Sequence, residues 1–271
     1  GGGAARGFAH IGAIKAFEDL GIDFDYVAGT SAGSMVGALY AAGICADQML
    51  EIAKDIKMVD LRPKKYSIFP SSSKNIENLM MRVLGDITFS DLKKPFKAVA
   101  VDIYTARELH LNYGSVCKAV SASCAVPGIF TPVAWDDYLL VDGGVQNTIP
   151  SDVARDMGAE YVIAVDINYA RGQGIVRDYT SFGEPVFPSK TPNTFQILKA
   201  AMNIMMKEVA EKGKINADYV FYPETKRFKA TKLEGIDELF EEGYKCIIQN
   251  IDRVKEDLGV KEFLKPTLYL K

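Results

Sequence analysis

A serine, Ser31, lies between Gly29 and Gly33 in the sequence Gly-Thr-Ser-Ala-Gly, after a short apolar run and before a predicted helix, Met35–Ala42. This G-x-S-x-G pattern is typical of a nucleophile elbow, a strained strand-to-helix turn that exposes a serine hydroxyl. Glycine at both flanks avoids Cβ collisions and tolerates unusual backbone angles. The positive end of the following helix favours negative charge at Ser31. The pattern predicts a nucleophile; an ordinary strand–turn–helix with a capping Ser or Thr is the alternative.

A second glycine-rich segment, Gly1–Gly7, runs into a predicted helix, Phe8–Leu20. Bare N–H groups ahead of a helix suit three anions: a dinucleotide pyrophosphate, a nucleotide phosphate, or the oxyanion of an acyl-transfer intermediate. The P-loop is excluded because Gly-Lys-Ser/Thr is absent, and the dinucleotide fingerprint is broken at Ala4 or Arg6. An oxyanion cradle is therefore favoured over a purely structural tight turn.

A serine nucleophile needs a base, and the chain has only two histidines, His10 and His110. No histidine follows His110, so the Ser–acid–His order of the α/β-hydrolases is excluded. A carboxylate at a strand end is the predicted base, because the ends of parallel strands meet at one edge of a sheet. Asp142 is the preferred candidate, with Asp102 and Asp166 as alternatives. His10, inside a predicted helix, is interpreted as structural.

Asp142 ends the apolar run that begins at Tyr138, and the double glycine Gly143-Gly144 follows it. Asp-Gly is a strong hairpin signal. The next predicted element, however, is a helix over Ser151–Met157 and not a paired strand, so the segment is interpreted as a strand that delivers an aspartate onto a tight turn.

Strand and helix patterns alternate along the chain, which predicts an α/β fold: three layers, α/β/α, around a mainly parallel central sheet. The further predicted strands are Pro95–Asp102, Glu108–Asn112, Tyr161–Asp166 and Tyr219–Tyr222. The further predicted helices are Asp47–Met58, Lys74–Leu84, Ser115–Ser123, Thr194–Lys212 and Asp237–Leu258.

Residues 1–166 are predicted to form the catalytic core, with a cap-like helical insertion at about 46–84. Residues 167–271 are assigned to the same domain and contain a long irregular loop, 168–193, and closing helices. In helix 194–212 the apolar residues recur on one face and are interpreted as core or dimer packing, with a lipid-facing surface as the alternative. These residues are Phe195, Leu198, Met202, Met205 and Val209.

The composition, 48% hydrophobic and 25% charged with a net charge of -3, is that of a globular protein and gives no basic footprint for nucleic acid. The four cysteines are scattered without a C-x-x-C pair, which favours a reduced interior over a metal site. No run is long enough to span a bilayer and no secretory signal is visible. A cytoplasmic or membrane-peripheral location is expected. Because the sequence opens on glycines without a methionine, upstream residues are expected, and any targeting segment within them would not be visible here.

Three motifs in order, the glycine loop 1–7, the Ser31 elbow and the turn at Asp142, together resemble the patatin-like phospholipases. Ser121-Ala122-Ser123 with Pro127-Gly128, and the strand that ends at Asp166, are similar to the bacterial branch of this family. The resemblance covers about residues 1–166.

The resemblance implies a patatin-like fold and a lipid acyl hydrolase with a Ser–Asp dyad, in which Ser31 is the nucleophile and Asp142 the base. It implies an oxyanion hole in the loop and supporting roles for the other motif residues. The oxyanion-hole residues are Gly1, Gly2, Gly3 and Ala4, and the supporting residues are Arg6, Gly29, Gly33, Gly143 and Gly144. Many members have glycine at the position of Ala4, so the loop keeps this role only if Ala4 needs no positive φ.

The expected substrate is a lipid or acyl ester, and the expected reaction proceeds through an acyl-serine without cofactor or metal. A free aspartic acid, with a pKa near 3.9, is a weak base, so the mechanism requires a buried carboxylate or very close geometry. A thioesterase or acyltransferase on the same site, or a nucleotide-binding regulatory module, are the alternatives. No nucleic-acid partner is expected. Peripheral membrane contact and homo-oligomer formation are left open.

Overall fold

The computed structural model describes residues 1–56, 70–168, 191–230 and 232–259, with two short strands between them, β7 (Asp178–Tyr179) and β8 (Pro185–Val186). Most of the predicted loop 168–193, with Phe182 and Phe187 that suit lipid contact, and the last residues of the predicted helix Asp47–Met58 lie outside the described residues.

The predicted helices are confirmed where the structure describes them, although the elbow helix begins earlier, directly after Ser31. The predicted closing helix is two helices that meet at Ile251. Among the described residues, no helix is both long and apolar enough to cross a membrane. The α-helices are α1 (Phe8–Asp19), α2 (Ala32–Ala41), α3 (Ala46–Asp55), α4 (Lys74–Leu84), α5 (Val116–Ser123), α6 (Ser151–Asp156), α7 (Thr194–Gly213), α8 (Ile236–Asn250) and α9 (Asp252–Leu258).

Five strands form the central sheet, in which β2 pairs in parallel with β1 and antiparallel with β3 and β5, while β4 pairs antiparallel with β5. A separate parallel pair joins β6 to β9. These strands are β1 (Val27–Thr30), β2 (Phe96–Asp102), β3 (Glu108–Leu111), β4 (Val133–Trp135), β5 (Tyr138–Asp142), β6 (Ile163–Val165) and β9 (Tyr219–Phe221).

The α/β class with helices around a central sheet is confirmed, but the prediction of a mainly parallel sheet is wrong. Its physical reason is the length of two connections. Residues 103–107 join β2 to β3, and Asp136-Asp137 join β4 to β5. Connections this short close hairpins and cannot cross over to a parallel neighbour.

The β6–β9 pair is covered on both faces. Ile163 and Val165 pack with α1 and α8, whereas Ala164 packs with Ile149 and with Ala210 of α7. This alternation follows the two-residue period of a strand. As a result, the C-terminal helices pack directly behind the N-terminal loop and helix.

Helix α7 does not bury the whole of the predicted face. Leu198 and Met205 are 57% and 62% exposed, so the core assignment is wrong for these two residues, whereas Met202 and Val209 are half-buried. Dimer packing and a lipid-facing surface stay predictions. The face that packs instead carries Ala210, which contacts Ile149 and Ala164, and Met206, whose Cε lies 2.7 Å from where a Cβ on Gly144 would be. An apolar stripe is therefore left exposed on the outside of α7.

Candidate active site

Ser31 stands alone between strand β1, which ends at Thr30, and helix α2, which begins at Ala32. Its backbone angles, φ 54° and ψ −123°, lie in a region that non-glycine residues rarely adopt. This is the strained strand-to-helix turn that the sequence predicts. The geometry places the Ser31 side chain at the N-terminus of α2.

The two glycines of the elbow are sterically required. A Cβ on Gly29 would lie 2.5 Å from the carbonyl oxygen of Gly33, and a Cβ on Gly33 would lie 2.8 Å from the carbonyl oxygen of Gly1. Real Cβ atoms essentially never approach backbone atoms this closely. The elbow and the glycine loop therefore pack backbone against backbone.

Asp142 ends strand β5 and is 2% exposed. The pairing register places it near Ser31, because Thr30 pairs with Val99 of β2 and Asp142 pairs with the next residue, Ala100. The Gly144 amide donates a 2.7 Å hydrogen bond to Asp142 Oδ1. A Cβ on Gly143 would lie 2.3 Å from the carbonyl oxygen of Val99, so this turn also needs glycine.

The Cys124 thiol is buried beside the elbow, and its Sγ lies 3.8 Å from Ser34 Oγ. Burial, together with the negative charge of Asp142, raises the pKa of the Cys124 thiol well above its usual range. A buried thiol that the sequence analysis did not single out therefore lies beside the predicted dyad.

The glycine loop departs from the predicted oxyanion hole at two positions. The Gly1 nitrogen donates to the carbonyl of Val165 at 3.2 Å, and the Gly2 amide donates to the carbonyl of Thr148 at 2.9 Å. These nitrogens already donate to backbone carbonyls, which favours Gly3 and Ala4 as the oxyanion donors.

The amides of Gly3 and Ala4 donate to no acceptor within the described part of the chain. Ala4 has φ 51°, so the expectation that its role requires no positive φ is wrong: the alanine adopts this conformation and its backbone N–H stays available. An alanine in the left-handed region costs about 1–2 kcal/mol relative to the right-handed helix. The loop therefore adopts a turn that favours glycine even at its alanine.

Side chains and backbone from distant parts of the chain fix this loop. Arg6 donates to Asn168 Oδ1 and to the carbonyl of Phe228, both at 3.0 Å, and Asn168 Nδ2 donates to the carbonyl of Gly2. The Ala5 amide donates to the carbonyl of Ala230 at 3.1 Å. Burial lowers the pKa of the Arg6 guanidinium. Through these contacts Arg6 orders the loop.

The other candidate bases are engaged elsewhere. Asp102 Oδ2 accepts from the amide and hydroxyl of Thr105, and Asp166 Oδ2 lies 3.3 Å from Lys214 Nζ. His10 Nε2 lies 2.7 Å from the carbonyl oxygen of Gly1, and burial holds the pKa of His10 well below its usual value.

His110, the other histidine, lies on β3 and contacts Glu108, whose Oε1 is 2.8 Å from its Nε2. Its side chain is partly exposed and contacts a residue of the same strand. Both histidines therefore already contact a polar group of the protein.

A cavity of about 200 Å³ extends from Ser31 and Ala4 between helices α2, α3 and α4. Its walls are almost entirely aliphatic or aromatic. Sequence patterns did not predict it, because its lining residues come from six separate segments. The lining residues include Ile11, Leu39, Met49, Ile52, Ala53, Ile56, Ile76, Leu79, Ile129, Phe130 and Leu233.

The fold and site define an α/β protein with a buried serine and aspartate at adjoining strand ends beside a glycine loop. The family model described as patatin-like phospholipase matches residues 1–155, more than half of the 271-residue chain. The chain belongs to the patatin-like phospholipase family, and the resemblance drawn from its motifs is confirmed.

Several curated proteins are similar in sequence. Patatin-like phospholipase domain-containing protein 6 of Mus musculus is 38% identical over 196 residues, which is 68% of this chain and 14% of that protein. Neuropathy target esterase sws of Drosophila melanogaster is 29% identical over 272 residues, 90% of this chain and 18% of that protein. An uncharacterized NTE family protein of Mycobacterium tuberculosis is 33% identical over 175 residues, 62% of this chain and 48% of that protein.

The chain thus spans less than half the length of each of these relatives. Among solved structures, VipD from Legionella pneumophila aligns with a TM-score of 0.42 and 12% identity, covering 96% of this chain and 76% of that one.

Proposed function

We propose that this protein is a serine lipid acyl hydrolase that uses Ser31 as nucleophile and Asp142 as base. One observation carries the proposal: the strained Ser31 elbow follows Thr30, which pairs with Val99 of β2, and the buried Asp142 pairs with the adjacent residue, Ala100. The burial of Asp142, which is 2% exposed, supports it as the base, because the mechanism requires a buried carboxylate or very close geometry.

The reaction has two halves. Ser31 Oγ attacks the ester carbonyl while Asp142 takes the hydroxyl proton, and the tetrahedral intermediate collapses as the alcohol leaves with that proton. Water then attacks the acyl-serine, Asp142 again serving as base, and releases the fatty acid and the free serine.

The amides of Gly3 and Ala4 are the proposed oxyanion donors. They lie next to the elbow, since Gly2 is close enough that its Cβ would be 3.4 Å from Ser31 Cβ, and within the described residues neither amide has another acceptor. One such donor is worth about 3 kcal/mol of transition-state stabilisation in comparable sites.

The apolar cavity supports an acyl chain as the group that Ser31 accepts. Apart from Ser31, its walls offer few polar groups for a sugar, peptide or phosphate to pair with. A polar substrate buried there would lose hydrogen bonds to water without replacement. A fatty acyl chain loses none and gains burial of its apolar surface.

The exposed stripe on α7 supports peripheral contact with a lipid surface. Ile197 and Leu198 lie two turns before Ile204 and Met205 on the same side of the helix, and the four side chains are 46–62% exposed. The same helix packs Met206 against the Gly144 turn, so the stripe lies close to the site. Flotation with phosphatidylcholine vesicles tests this: Leu198→Asn/Met205→Asn should reduce vesicle binding but not hydrolysis of a soluble short-chain ester. Unchanged vesicle binding would exclude the stripe as the contact surface.

Covalent labelling with a fluorophosphonate probe, followed by peptide mapping, tests the nucleophile. The label should appear on Ser31, disappear in Ser31→Ala, and persist in Ser90→Ala, a change at an exposed serine. Hydrolysis of p-nitrophenyl acyl esters should fall by at least a thousandfold in Ser31→Ala. A labelled Ser31→Ala protein, or one that keeps its turnover, would remove Ser31 from the mechanism.

The base is tested with three matched variants, Asp142→Asn, Asp102→Asn and Asp166→Asn, each at a buried carboxylate. Asp142→Asn alone should abolish turnover in folded protein. Loss in Asp102→Asn or Asp166→Asn with turnover retained in Asp142→Asn would reassign the base. Parallel assays with acyl-thioesters, and with an added alcohol as acceptor, identify a thioesterase or an acyltransferase if either reaction is faster than ester hydrolysis.

A further inference from the structure

The backbone of Ser31 is held by two buried serine hydroxyls from opposite sides. On one side, the Ser31 amide donates a 2.9 Å hydrogen bond to Ser123 Oγ, at the end of helix α5. On the other side, Ser34 Oγ donates a 2.7 Å hydrogen bond to the Ser31 carbonyl. Ser34 and Ser123 are completely buried.

These two contacts differ in importance. The Ser31 carbonyl also accepts from the amides of Ser34 and Met35, the usual first bonds of a helix. The Ser31 amide lies beyond the last ladder pair of β1, Thr30 with Val99, and Ser123 is its acceptor. Removing the Ser123 hydroxyl leaves a buried N–H without a partner, whereas removing the Ser34 hydroxyl leaves the carbonyl bonded.

We propose that Ser123 is a positioning residue for attack by Ser31, a role that rests on the proposed function. A residue at φ 54°, ψ −123° keeps its conformation only where its surroundings over-determine it. The hydrogen bond to Ser123 fixes the peptide group that precedes the Ser31 Cα. It thereby fixes the direction of the Cα–Cβ bond and the position from which Oγ attacks.

Helix α5 supplies a matched control two residues earlier. Ser121 is also completely buried, and its Oγ donates a 2.7 Å hydrogen bond to the carbonyl of Ser73, on the segment before α4. Ser121→Ala and Ser123→Ala each remove a hydroxyl oxygen from the same helix. Only Ser123→Ala removes the hydrogen-bond acceptor of the Ser31 amide. Neither serine lines the apolar cavity.

The experiment measures kcat, KM and the fluorophosphonate labelling rate for Ser123→Ala, Ser34→Ala and Ser121→Ala, below the thermal midpoint of each variant. Misplacement of a nucleophile by about 1 Å can cost a hundredfold in rate. Ser123→Ala should lower kcat and the labelling rate about ten- to hundredfold and leave KM within twofold. Ser34→Ala should lower both rates by a smaller factor, and Ser121→Ala should remain within twofold of the unmodified protein.

Ser123→Thr keeps the hydroxyl and should recover most of the labelling rate that Ser123→Ala loses. The proposal is overturned if Ser123→Ala labels within twofold of the unmodified protein, or if Ser121→Ala slows labelling as much. An increase in KM with constant kcat would also overturn it, since that change reports substrate binding. These results differ from failure of the proposed function, in which Ser31→Ala itself remains labelled.

Discussion

Gly33 of the elbow helix and Gly1 of the glycine loop touch through their backbones: a Cβ on Gly33 would lie 2.8 Å from the Gly1 carbonyl oxygen and 3.2 Å from its carbonyl carbon and nitrogen. The proposed nucleophile and the proposed oxyanion donors therefore stand at a fixed separation. The two backbones lie this close because Gly33 has no side chain.

Gly33→Ala should separate these two backbones by a few tenths of an ångström and lower kcat about tenfold or more. Gly37→Ala, one turn further along α2, is the control, because its Cβ would meet only side-chain atoms of Phe96 and Val27, at 3.1 Å. Initial rates on a p-nitrophenyl ester measure both variants. Equal loss in the two would show that helix packing is affected and not the spacing between elbow and loop.

Ala4→Gly should raise the free energy of unfolding by about 1 kcal/mol, because glycine relieves the left-handed strain at φ 51°. The neighbouring change Ala5→Gly should lower it by about 1 kcal/mol, since Ala5 is buried and lies in a short 3-10 helix. Urea denaturation of both variants measures the difference. A lower stability of Ala4→Gly would contradict the strain.

Ile52→Trp should shorten the preferred acyl chain. Ile52 lines the apolar cavity from α3 and is only half-buried, so that helix can carry the larger ring. The ratio of turnover on p-nitrophenyl decanoate to that on the butyrate should fall about tenfold. Leu50→Trp, also half-buried on α3 but outside the cavity wall, should leave the ratio unchanged. An unchanged ratio in Ile52→Trp would remove this cavity as the acyl site.

The stability of the fold should decrease below about pH 6.5 because of His10. Burial lowers the pKa of His10 in the folded protein, while an unfolded histidine has a pKa near 6.5. Above that pH the imidazole is neutral in both states. Below it only the unfolded chain gains the proton, so the free energy of unfolding falls by up to about 1.4 kcal/mol per pH unit.

His10→Gln should reduce this loss of unfolding free energy at acidic pH, the acid limb of the stability curve. Urea denaturation at pH 5.0–7.5 measures it for the variant and the unmodified protein. The same change at His110, whose ring is partly exposed, should leave the limb in place. An acid limb that persists unchanged in His10→Gln would assign it to other groups.

The sequence predicts those features that depend on local steric rules. The Ser31 turn needs small neighbours, Asp142 must follow an apolar strand, and the helices have clear periodicity; the structure places all of these as expected. The chemical roles of Ser31 and Asp142 stay predictions until they are tested.

Features that depend on distant contacts were not predictable. Strand β4 was not predictable for a different reason: it has only three residues, too few to show a two-residue period. That Gly2 donates to Thr148 and not to a ligand depends on a carbonyl almost 150 residues away. Likewise, the buried face of α7 is chosen by Ile149 and Ala164 and not by its own apolar pattern, which is why Leu198 and Met205 were misassigned.

Helices α1 and α8 touch backbone to backbone at two glycines: a Cβ on Gly12 would fall on the carbonyl of Phe240, and one on Gly243 on the carbonyl of Ala9. A fragment cut where the family match ends would discard α8, Asn168 and Ala230 together. The glycine loop would then lose its hydrogen bonds with Asn168 and Ala230. We therefore expect that a shortened version of this protein keeps the proposed activity only if it retains the C-terminal helices and loses residues from inside the chain.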